Sequence, residues 1–269
     1  MTTVKARSLS SASVDHDEDR QFTTTLANGM ALLSCFREGD GMLANRDFVA
    51  RMGLTKANVS RLAFTLVTLG FLRLDTASGH YLLGSPVLSM GYPLLASMHI
   101  RQIARPYMLE LADELDATVS LGVRDRSQML YVETNRGAMS GTRLADIGTA
   151  LPLLGSAMGS AWLGAASVYD RNRAVNQALV AAGRHGRRDS FQRIARGLKD
   201  IAVNEYASLV DKPSRSLTVA VALRSTVDSE IVVFDCTVLQ ASEPATDVNM
   251  IGRRLMLMTR SVEGAMSIR

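Results

Sequence analysis

The chain has 269 residues, of which 47% are hydrophobic, and its formal net charge is +4. This size supports a substantial core in one or two domains, and the mild basic excess permits nucleic-acid binding without requiring it. Cys35 and Cys236 lie far apart, with no further cysteine and no histidine nearby, which excludes a disulfide framework and a zinc site. No uninterrupted apolar run is long enough to predict a membrane span. We therefore expect a cytoplasmic protein that needs no metal or cofactor.

The N-terminal region is predicted to be a disordered tail followed by a helix. Residues 1–22 are rich in Ser, Thr and charged residues and lack an apolar core, so they resemble neither a packed segment nor a secretory signal. Leu26, Met30, Leu33 and Phe36 then recur at helical spacing. This pattern predicts a first amphipathic helix.

Residues 43–71 predict two short helices joined at a glycine. Asn45 can cap the first helix, which runs to Met52, and Gly53 ends it. Thr55 can cap the second helix, whose apolar stripe consists of Val59, Leu62, Leu66 and Leu69. Short polar and basic residues at the start of the second helix are typical of a helix-turn-helix, whose second helix reads DNA. A plain helical hairpin would show the same spacing.

A hairpin directly after the second helix favours the DNA-binding interpretation. Residues 72–74 and 80–83 flank a turn at residues 76–79, which is the position of a wing. We therefore predict a winged helix-turn-helix domain over residues 23–84. Its reading half has a basic excess that suits phosphate neutralisation, with Arg46, Arg51, Lys56, Arg61 and Arg73 against Asp47 and Asp75.

The DNA contacts are predicted at the start of the second helix and on the elements beside it. Arg46 and Arg73 would contact phosphates, Asn58 can pair with adenine, and Arg61 can pair with guanine or a phosphate. Phe64, beside that face, either packs under the wing or touches a thymine methyl group. The full predicted set is Arg46, Thr55, Lys56, Asn58, Ser60, Arg61, Thr65 and Arg73.

A linker helix and a second domain are predicted after the wing. Pro86 suits the first turn of a linker helix over residues 85–98, and Pro93 and Pro106 should break or kink the helical run. Residues 99–269 then form an α+β domain with one antiparallel sheet, similar to GAF and PAS sensing folds. After a helix at residues 100–115 we expect strands at 117–125, 127–135, 150–154, 216–223 and 230–239, and helices from near residue 156, at 169–182, at 190–206 and from 248 onwards.

Several short motifs occur together in this order. They are Gly53-Leu54, Lys56, Arg61-Leu62, Thr65-Leu66, Gly70-Phe71, Tyr81-x-Leu83-Gly84, and the stretch LPLLGSAMGSA at residues 151–161. On these motifs the chain resembles the IclR family of bacterial transcriptional regulators over residues 23–267. The resemblance implies a homodimer through the winged domains and linker helix, often paired into a tetramer.

The resemblance also implies a pocket for a small organic acid, often an intermediate of carbon or aromatic catabolism, in the C-terminal domain. A helix N-terminus suits a carboxylate, and two residues that are two apart on a strand share one sheet face. Carried over position by position, the pocket residues are Ala157, Met158 and Gly159 at a helix start, Val219 on the penultimate strand, and Asp235 and Thr237 on the last strand.

The chain departs from the family pattern in this second domain. The family often has His near Leu154 and Lys at the position of Ser160, and this chain has neither. Asp235 in the pocket would repel an anionic ligand unless Arg143 or Arg215 balances its charge. Alternatively, Asp235 faces outward or forms a hydrogen bond with a neighbouring strand.

Three functions compete at this point. The first is a regulator whose partners are double-stranded operator DNA, a small organic-acid effector and a second copy of itself, with no membrane involved. The second is a DNA-binding regulator whose effector domain has decayed and is ligand-independent. The third is an enzyme, which we do not expect because the sequence has no Gly-x-Ser-x-Gly motif, phosphate loop or metal-ligand spacing.

Overall fold

The computed structural model describes residues 21–37, 39–138, 146–182, 187–239 and 247–267, without the side chains of residues 182 and 187–189. The first twenty residues of the predicted tail and Arg143 lie outside the described residues. The chain divides into two compact units between Ser97 and Met98, and this division places the predicted linker helix in the N-terminal unit.

The N-terminal unit contains the predicted elements in the predicted order. They are α1 (Thr24–Leu33), α2 (Asn45–Met52), α3 (Lys56–Thr68), β1 (Leu72–Asp75), β2 (His80–Leu83) and α4 (Pro86–Ser97). The bounds of α2 match the prediction, and the hairpin of β1 and β2 is antiparallel. The winged helix-turn-helix order is therefore confirmed.

The helix caps confirm one prediction and correct another. Thr55 caps α3, since its side chain accepts a hydrogen bond from the amide of Asn58 at 3.3 Å. The N-cap of α2 is Ala44 and not Asn45; its amide donates to the Asp47 carboxylate at 2.8 Å. Gly53 ends α2 at a positive φ of 70°, a conformation that glycine adopts without strain.

The core of the N-terminal unit forms around Phe48. Its ring packs at 5.7 Å from the rings of both Phe36 and Tyr81, beside buried residues of α3. The predicted stripe of α1 is wrong, because Leu26 is 65% exposed while Leu32 is fully buried. α1 packs on α2 and α3 through the neighbouring face. At the other end of the unit, Leu69 follows the last turn of α3 and is exposed.

The C-terminal unit is a six-stranded antiparallel sheet with helices on both sides, which confirms the predicted α+β, GAF-like fold. The strand order is β5-β4-β3-β8-β7-β6. The short edge strand β6 was not predicted. The elements are α5 (His99–Leu115), β3 (Thr118–Asp125), β4 (Gln128–Arg136), β5 (Ala150–Pro152), α6 (Ala157–Ala165), α7 (Val168–Ala182), α8 (Arg187–Asn204), β6 (Ala207–Asp211), β7 (Ser216–Ala222), β8 (Val233–Leu239) and α9 (Val248–Ser267).

Two helical layers cover the two faces of this sheet. α5 and α9 pack against each other and against β3, β4, β7 and β8, and Asn135 of β4 donates to Met108 of α5 at 3.9 Å. α6 packs on the other face, where Met158 lies against Gly122 of β3. Pro93 and Pro106 break neither α4 nor α5, because both helices continue through them.

Candidate DNA-binding surface and effector site

The exposed side of α3 carries most of the predicted DNA contacts. Thr55 and Lys56 stand at its start, and Arg46 of α2 lies on the same unit with its side chain in solvent. Cationic and hydrogen-bonding groups at the start of a recognition helix are what base edges and phosphates require. The predicted residues that the structure leaves exposed are Arg46, Thr55, Lys56, Asn58, Arg61, Thr65 and Arg73.

Ser60 differs from the other predicted contacts because its hydroxyl is engaged inside the helix pair. It is half-buried and accepts a hydrogen bond from Nδ2 of Asn45 at 2.9 Å. This bond joins the first residue of α2 to the first half of α3. The structure therefore gives Ser60 a positioning role within the helix-turn-helix.

Arg51 also has a structural partner. Its guanidinium forms an ion pair with Asp40 and donates to the carbonyl oxygen of Cys35 at 2.6 Å. The hydrogen bond from Arg51 holds the pKa of the Asp40 carboxyl below its usual value. Arg51 thus fastens α2 to the loop after α1, and its charge is compensated within the domain.

Phe64 lies on the exposed side of α3. It is 73% exposed, so the expectation that it packs under the wing is wrong. The hydroxyl of the neighbouring Thr65 donates to the carbonyl oxygen of Arg61 at 3.1 Å, along the helix itself. Phe64 is therefore exposed on α3 as Arg61 and Lys56 are, and its ring can contact a thymine methyl group.

The wing presents Arg73 from the antiparallel hairpin of β1 and β2. Arg73 lies opposite Leu82 and Asp75 lies opposite His80, so Arg73 and His80 share one face of the hairpin. The Asp75 carboxylate accepts hydrogen bonds from the amide and hydroxyl of Ser78, which closes the turn. These bonds also lower the pKa of Asp75.

In the C-terminal unit, polar side chains form a strip across one face of the sheet. Asp235 lies opposite Ser120, and Thr237 lies opposite both Thr118 and Thr218, with 2.9 Å between the hydroxyls of Thr218 and Thr237. Directly paired residues of antiparallel strands point to the same side. The Thr134 hydroxyl lies 3.3 Å from the Ser120 hydroxyl and donates a hydrogen bond to it. Together these side chains are called the polar strip, which consists of Thr118, Ser120, Thr134, Thr218, Asp235 and Thr237.

Asp235 lies in the centre of the polar strip and is only 1% exposed, so the outward-facing alternative is wrong. Its Oδ2 accepts a hydrogen bond from the Tyr131 hydroxyl at 2.5 Å, while Oδ1 has no hydrogen-bond partner among the described residues. Burial raises the pKa of Asp235 to about 7, and Tyr131 and Ser120 act in the opposite direction. Asp235 is therefore a buried acid that titrates near neutrality.

The sheet register corrects the expectation for Val219, and the structure also places Arg215, one of the two arginines considered as a balance for Asp235. Val219 lies opposite Cys236, so its side chain points to the face opposite that of Asp235 and Thr237. Its burial against α9 and the sheet separates it from the other predicted pocket residues. Arg215 lies exposed in the turn before β7 and is not among the groups that set the pKa of Asp235.

The predicted residues at the start of α6 are buried by packing. Ala157, Met158 and Gly159 form the first turn of α6, and all three are buried. A Cβ at Gly159 would overlap the carbonyl oxygen of Leu153. The Ser156 hydroxyl accepts a hydrogen bond from the Gly159 amide at 3.0 Å. The Gly159 amide is therefore already capped and is not free for a ligand carboxylate.

Several polar-strip residues were missed from the sequence. Thr118 and Ser120 alternate on β3, and Thr218 precedes Val219 on β7. Alternation alone shows that such residues share a face but not which strand lies beside them. Tyr131, which donates to Asp235, carried no sequence signal at all.

A separate cavity of about 500 Å³ opens among α6, α8, β7 and α9. Its rim includes Glu205, with Arg224 at 3.8 Å and Arg260 at 3.6 Å. None of the predicted effector residues lines it.

Within the described ranges, no three His, Cys, Asp or Glu side chains are grouped as metal ligands. No described helix has the length and apolar character needed to span a bilayer.

The exposed recognition helix, the wing and the appended sheet domain define a winged helix-turn-helix protein of the regulator class. Residues 25–76 match the IclR helix-turn-helix domain, and residues 93–186 match the C-terminal domain of the bacterial transcriptional regulator IclR. The crystal structure of an IclR family transcriptional regulator from Brucella abortus is 32% identical, with a TM-score of 0.79, over 95% of this chain and 97% of that one. The chain belongs to the IclR family, a family of transcriptional regulators and not of enzymes.

Two further proteins are similar to the chain. The HTH-type transcriptional regulator TsaQ1/TsaQ2 of Comamonas testosteroni is 38% identical over 153 residues, 56% of this chain and 55% of that protein. The chain thus spans about half the length of the curated relatives it matches. An IclR homolog from Microbacterium hydrocarbonoxydans, complexed with 4-hydroxybenzoate, has a TM-score of 0.69 at 18% identity, covering 91% of this chain and 100% of its own, and shares the fold.

Proposed function

We propose that the chain is a cytoplasmic, sequence-specific DNA-binding transcriptional regulator. The observation that carries this proposal is the exposed side of α3, where Lys56, Asn58, Arg61 and Phe64 offer charge, hydrogen bonds and an apolar contact. Arg61 and Asn58 can read guanine and adenine in the major groove. Arg46 and the wing residue Arg73 add phosphate contacts on either side.

Selection of binding sites from a random double-stranded DNA library by the full chain tests this function. A regulator enriches one motif, and gel-shift titrations then measure its affinity at fixed salt. We expect Arg61→Ala to weaken binding about 5- to 150-fold if Arg61 reads a base. Arg173→Ala, which removes an exposed arginine of α7, is the control. Absence of an enriched motif would refute the proposal.

The second part of the proposal is control of operator binding by a small organic-acid effector held in the C-terminal unit. The polar strip supports it, because a row of hydroxyls around a buried carboxylate is a costly arrangement for a core that only packs. The structural neighbour from Microbacterium hydrocarbonoxydans was complexed with an organic acid. We expect such an acid to raise the melting temperature by mass action and to change operator affinity.

One observation favours the alternative of a ligand-independent effector domain. The start of α6, where the family resemblance places part of the pocket, is packed by Met158 against Gly122 and capped by Ser156. If the effector domain has decayed, the regulator should bind its operator with the same affinity in the presence of each acid of a broad panel of organic acids. A dependence of operator affinity on any one acid excludes this alternative.

We also propose that the chain is a homodimer and that two such dimers can pair into a tetramer. α4 has no buried residue in the single chain, although its composition is mostly apolar. Its exposed hydrophobic side chains form a surface of the kind that oligomers bury; they are Leu88, Met90, Tyr92 and Leu94.

Analytical ultracentrifugation tests the role of α4. We expect Leu88→Glu to shift the chain from dimer to monomer, since it places a charge in the buried surface. Ser89→Glu, one residue further along the same helix and also exposed, should leave the dimer intact. A monomeric wild-type chain, or equal effects of the two variants, would contradict the proposal.

A further inference from the structure

Two oxygen atoms of the polar strip are buried without a partner. Oδ1 of Asp235 and Oγ1 of Thr118 have no hydrogen bond among the described residues. Both side chains are buried, and they lie on adjacent strands of the same face. Most buried polar atoms in folded proteins are paired, so each exception calls for a group that completes it. An ionised carboxylate can only accept, so Oδ1 of Asp235, unlike Oδ2, can take a further donor.

Within the part of the chain that the structure describes, which excludes residues 139–145, the elements around Asp235 supply no positive charge to meet it. The side chains of α6 and β7 include no ionisable group, and β8 adds only Cys236, on the opposite face. Burial raises the pKa of the Cys236 thiol to about 12, which keeps it neutral. On β3, Arg124 and Asp125 lie at the far end of the strand.

β4 contributes charged side chains that are already compensated. Glu133 faces the other side of the sheet, where it pairs with Arg101 at 2.8 Å. Arg136 lies at the edge of the polar strip and pairs with Asp146 at 3.3 Å. A ligand carboxylate placed against Asp235 would therefore meet a like charge in a desolvated position, and that arrangement is unfavourable.

We infer that the ligand group at Asp235 is a hydroxyl that donates a hydrogen bond to Oδ1, so that the effector is a hydroxylated molecule rather than a simple carboxylic acid. This inference rests on the proposed effector function and narrows it. Any acid group of the ligand lies away from Asp235. A hydroxyl donor to an ionised acceptor makes one of the stronger neutral-to-charged hydrogen bonds in proteins.

The inference predicts whether the affinity for the ligand rises or falls with pH. A hydroxyl donor binds the ionised form of Asp235, whose pKa is about 7, and Tyr131 stays protonated because burial raises its pKa. Affinity should then rise by about tenfold from pH 6 to pH 8, as the ionised fraction rises. A carboxylate that shared a proton with Asp235 would instead bind more weakly as pH rises, by about the same factor.

Isothermal titration calorimetry on the full chain, between pH 6 and pH 8, tests this with matched pairs of probes. The pairs are benzoate with 4-hydroxybenzoate, phenylacetate with 4-hydroxyphenylacetate, and butyrate with 4-hydroxybutyrate. We expect the hydroxylated member of at least one pair to bind about tenfold more tightly or better, with affinity rising with pH. Equal binding within every pair, a falling affinity, or no binding by any probe overturns the inference.

Two variants separate this inference from its alternatives. Asp235→Asn keeps the shape but removes the titrating group, so the pH dependence should disappear and the preference for the hydroxylated probe should fall severalfold. Asp125→Asn makes the same chemical change at an exposed position and should change neither. If Asp235→Asn does not fold, the pH profile of the wild type decides. Gel-shift titrations on the selected operator distinguish loss of this inference from failure of the proposed function.

Discussion

Ser60 accepts a hydrogen bond from Asn45 across the two helices of the helix-turn-helix, at 2.9 Å. The bond orients α3 relative to α2, so Ser60 holds the helix that we propose reads DNA in its position. Of the serine and threonine hydroxyls predicted to contact DNA, that of Ser60 has a partner on another element. The others either remain within their own helix or cap it.

Removal of this hydroxyl should loosen the helix pair. We expect Ser60→Ala to cost about 0.5–1.5 kcal/mol of local stability, because Nδ2 of Asn45 loses its acceptor. Hydrogen exchange of peptides from α2 and α3 measures the change within this unit. Thr65→Ala is the matched control; its exposed hydroxyl bonds only to its own helix, and we expect a change within about 0.5 kcal/mol.

Substitutions of two arginines of α2 should affect different properties, one the stability of the N-terminal unit and the other its binding to DNA. Arg51→Ala removes the partner of Asp40 and should destabilise the N-terminal unit by about 1.5–3 kcal/mol. Arg46→Ala should leave stability within about 0.5 kcal/mol but lower the salt slope of operator binding by about one. Hydrogen exchange and gel-shift titrations at several salt concentrations measure the two effects. Equal stability losses would show that Arg46 also packs.

The ion pair of Asp40 and Arg51 should make the N-terminal unit sensitive to acid. The folded pKa of Asp40 is depressed, so its stabilisation is present above the unfolded pKa and is lost as pH falls through the folded value. We expect the stability difference between wild type and Asp40→Asn to be constant near neutrality and to shrink below about pH 4. A difference that grew on acidification would contradict this assignment.

Two glycines of α9 should respond oppositely to the same substitution. A Cβ at Gly252 would overlap the ring of Tyr206, whose hydroxyl donates to Asn249 at 2.6 Å. Gly252→Ala should therefore cost about 1–3 kcal/mol. Gly264 has open space around it, so Gly264→Ala should add about 0.5–1 kcal/mol through helix propensity. Urea denaturation followed by circular dichroism measures both.

The sequence predicted the helix-turn-helix well because its signals are local. The α3 cap at Thr55, the end of α2 at Gly53 and the hairpin turn each depend on a few adjacent residues. The α1 stripe failed because periodicity does not show which of two apolar faces meets a neighbour. Leu26 satisfied the period and still lies in solvent.

The candidate effector site was predicted less completely because its contacts join distant parts of the chain. The bond between Tyr131 and Asp235 spans 104 residues, and no pattern in either strand indicates it. Val219 was misplaced because the face of a strand residue depends on register, and a shift by one residue exchanges the faces. That Asp235 and Thr237 share a face could be predicted, since they lie on one strand.

Trp162, the single tryptophan of the sequence, lies buried in α6 beneath the guanidinium of Arg124, which is 4.6 Å from its ring centre. Intrinsic tryptophan fluorescence therefore comes wholly from the C-terminal unit, and the N-terminal unit contributes none. In the proposed mode of binding, operator DNA contacts only the N-terminal unit, which has no tryptophan. A change in Trp162 fluorescence when operator DNA is added would thus show directly that DNA binding by one unit alters the other.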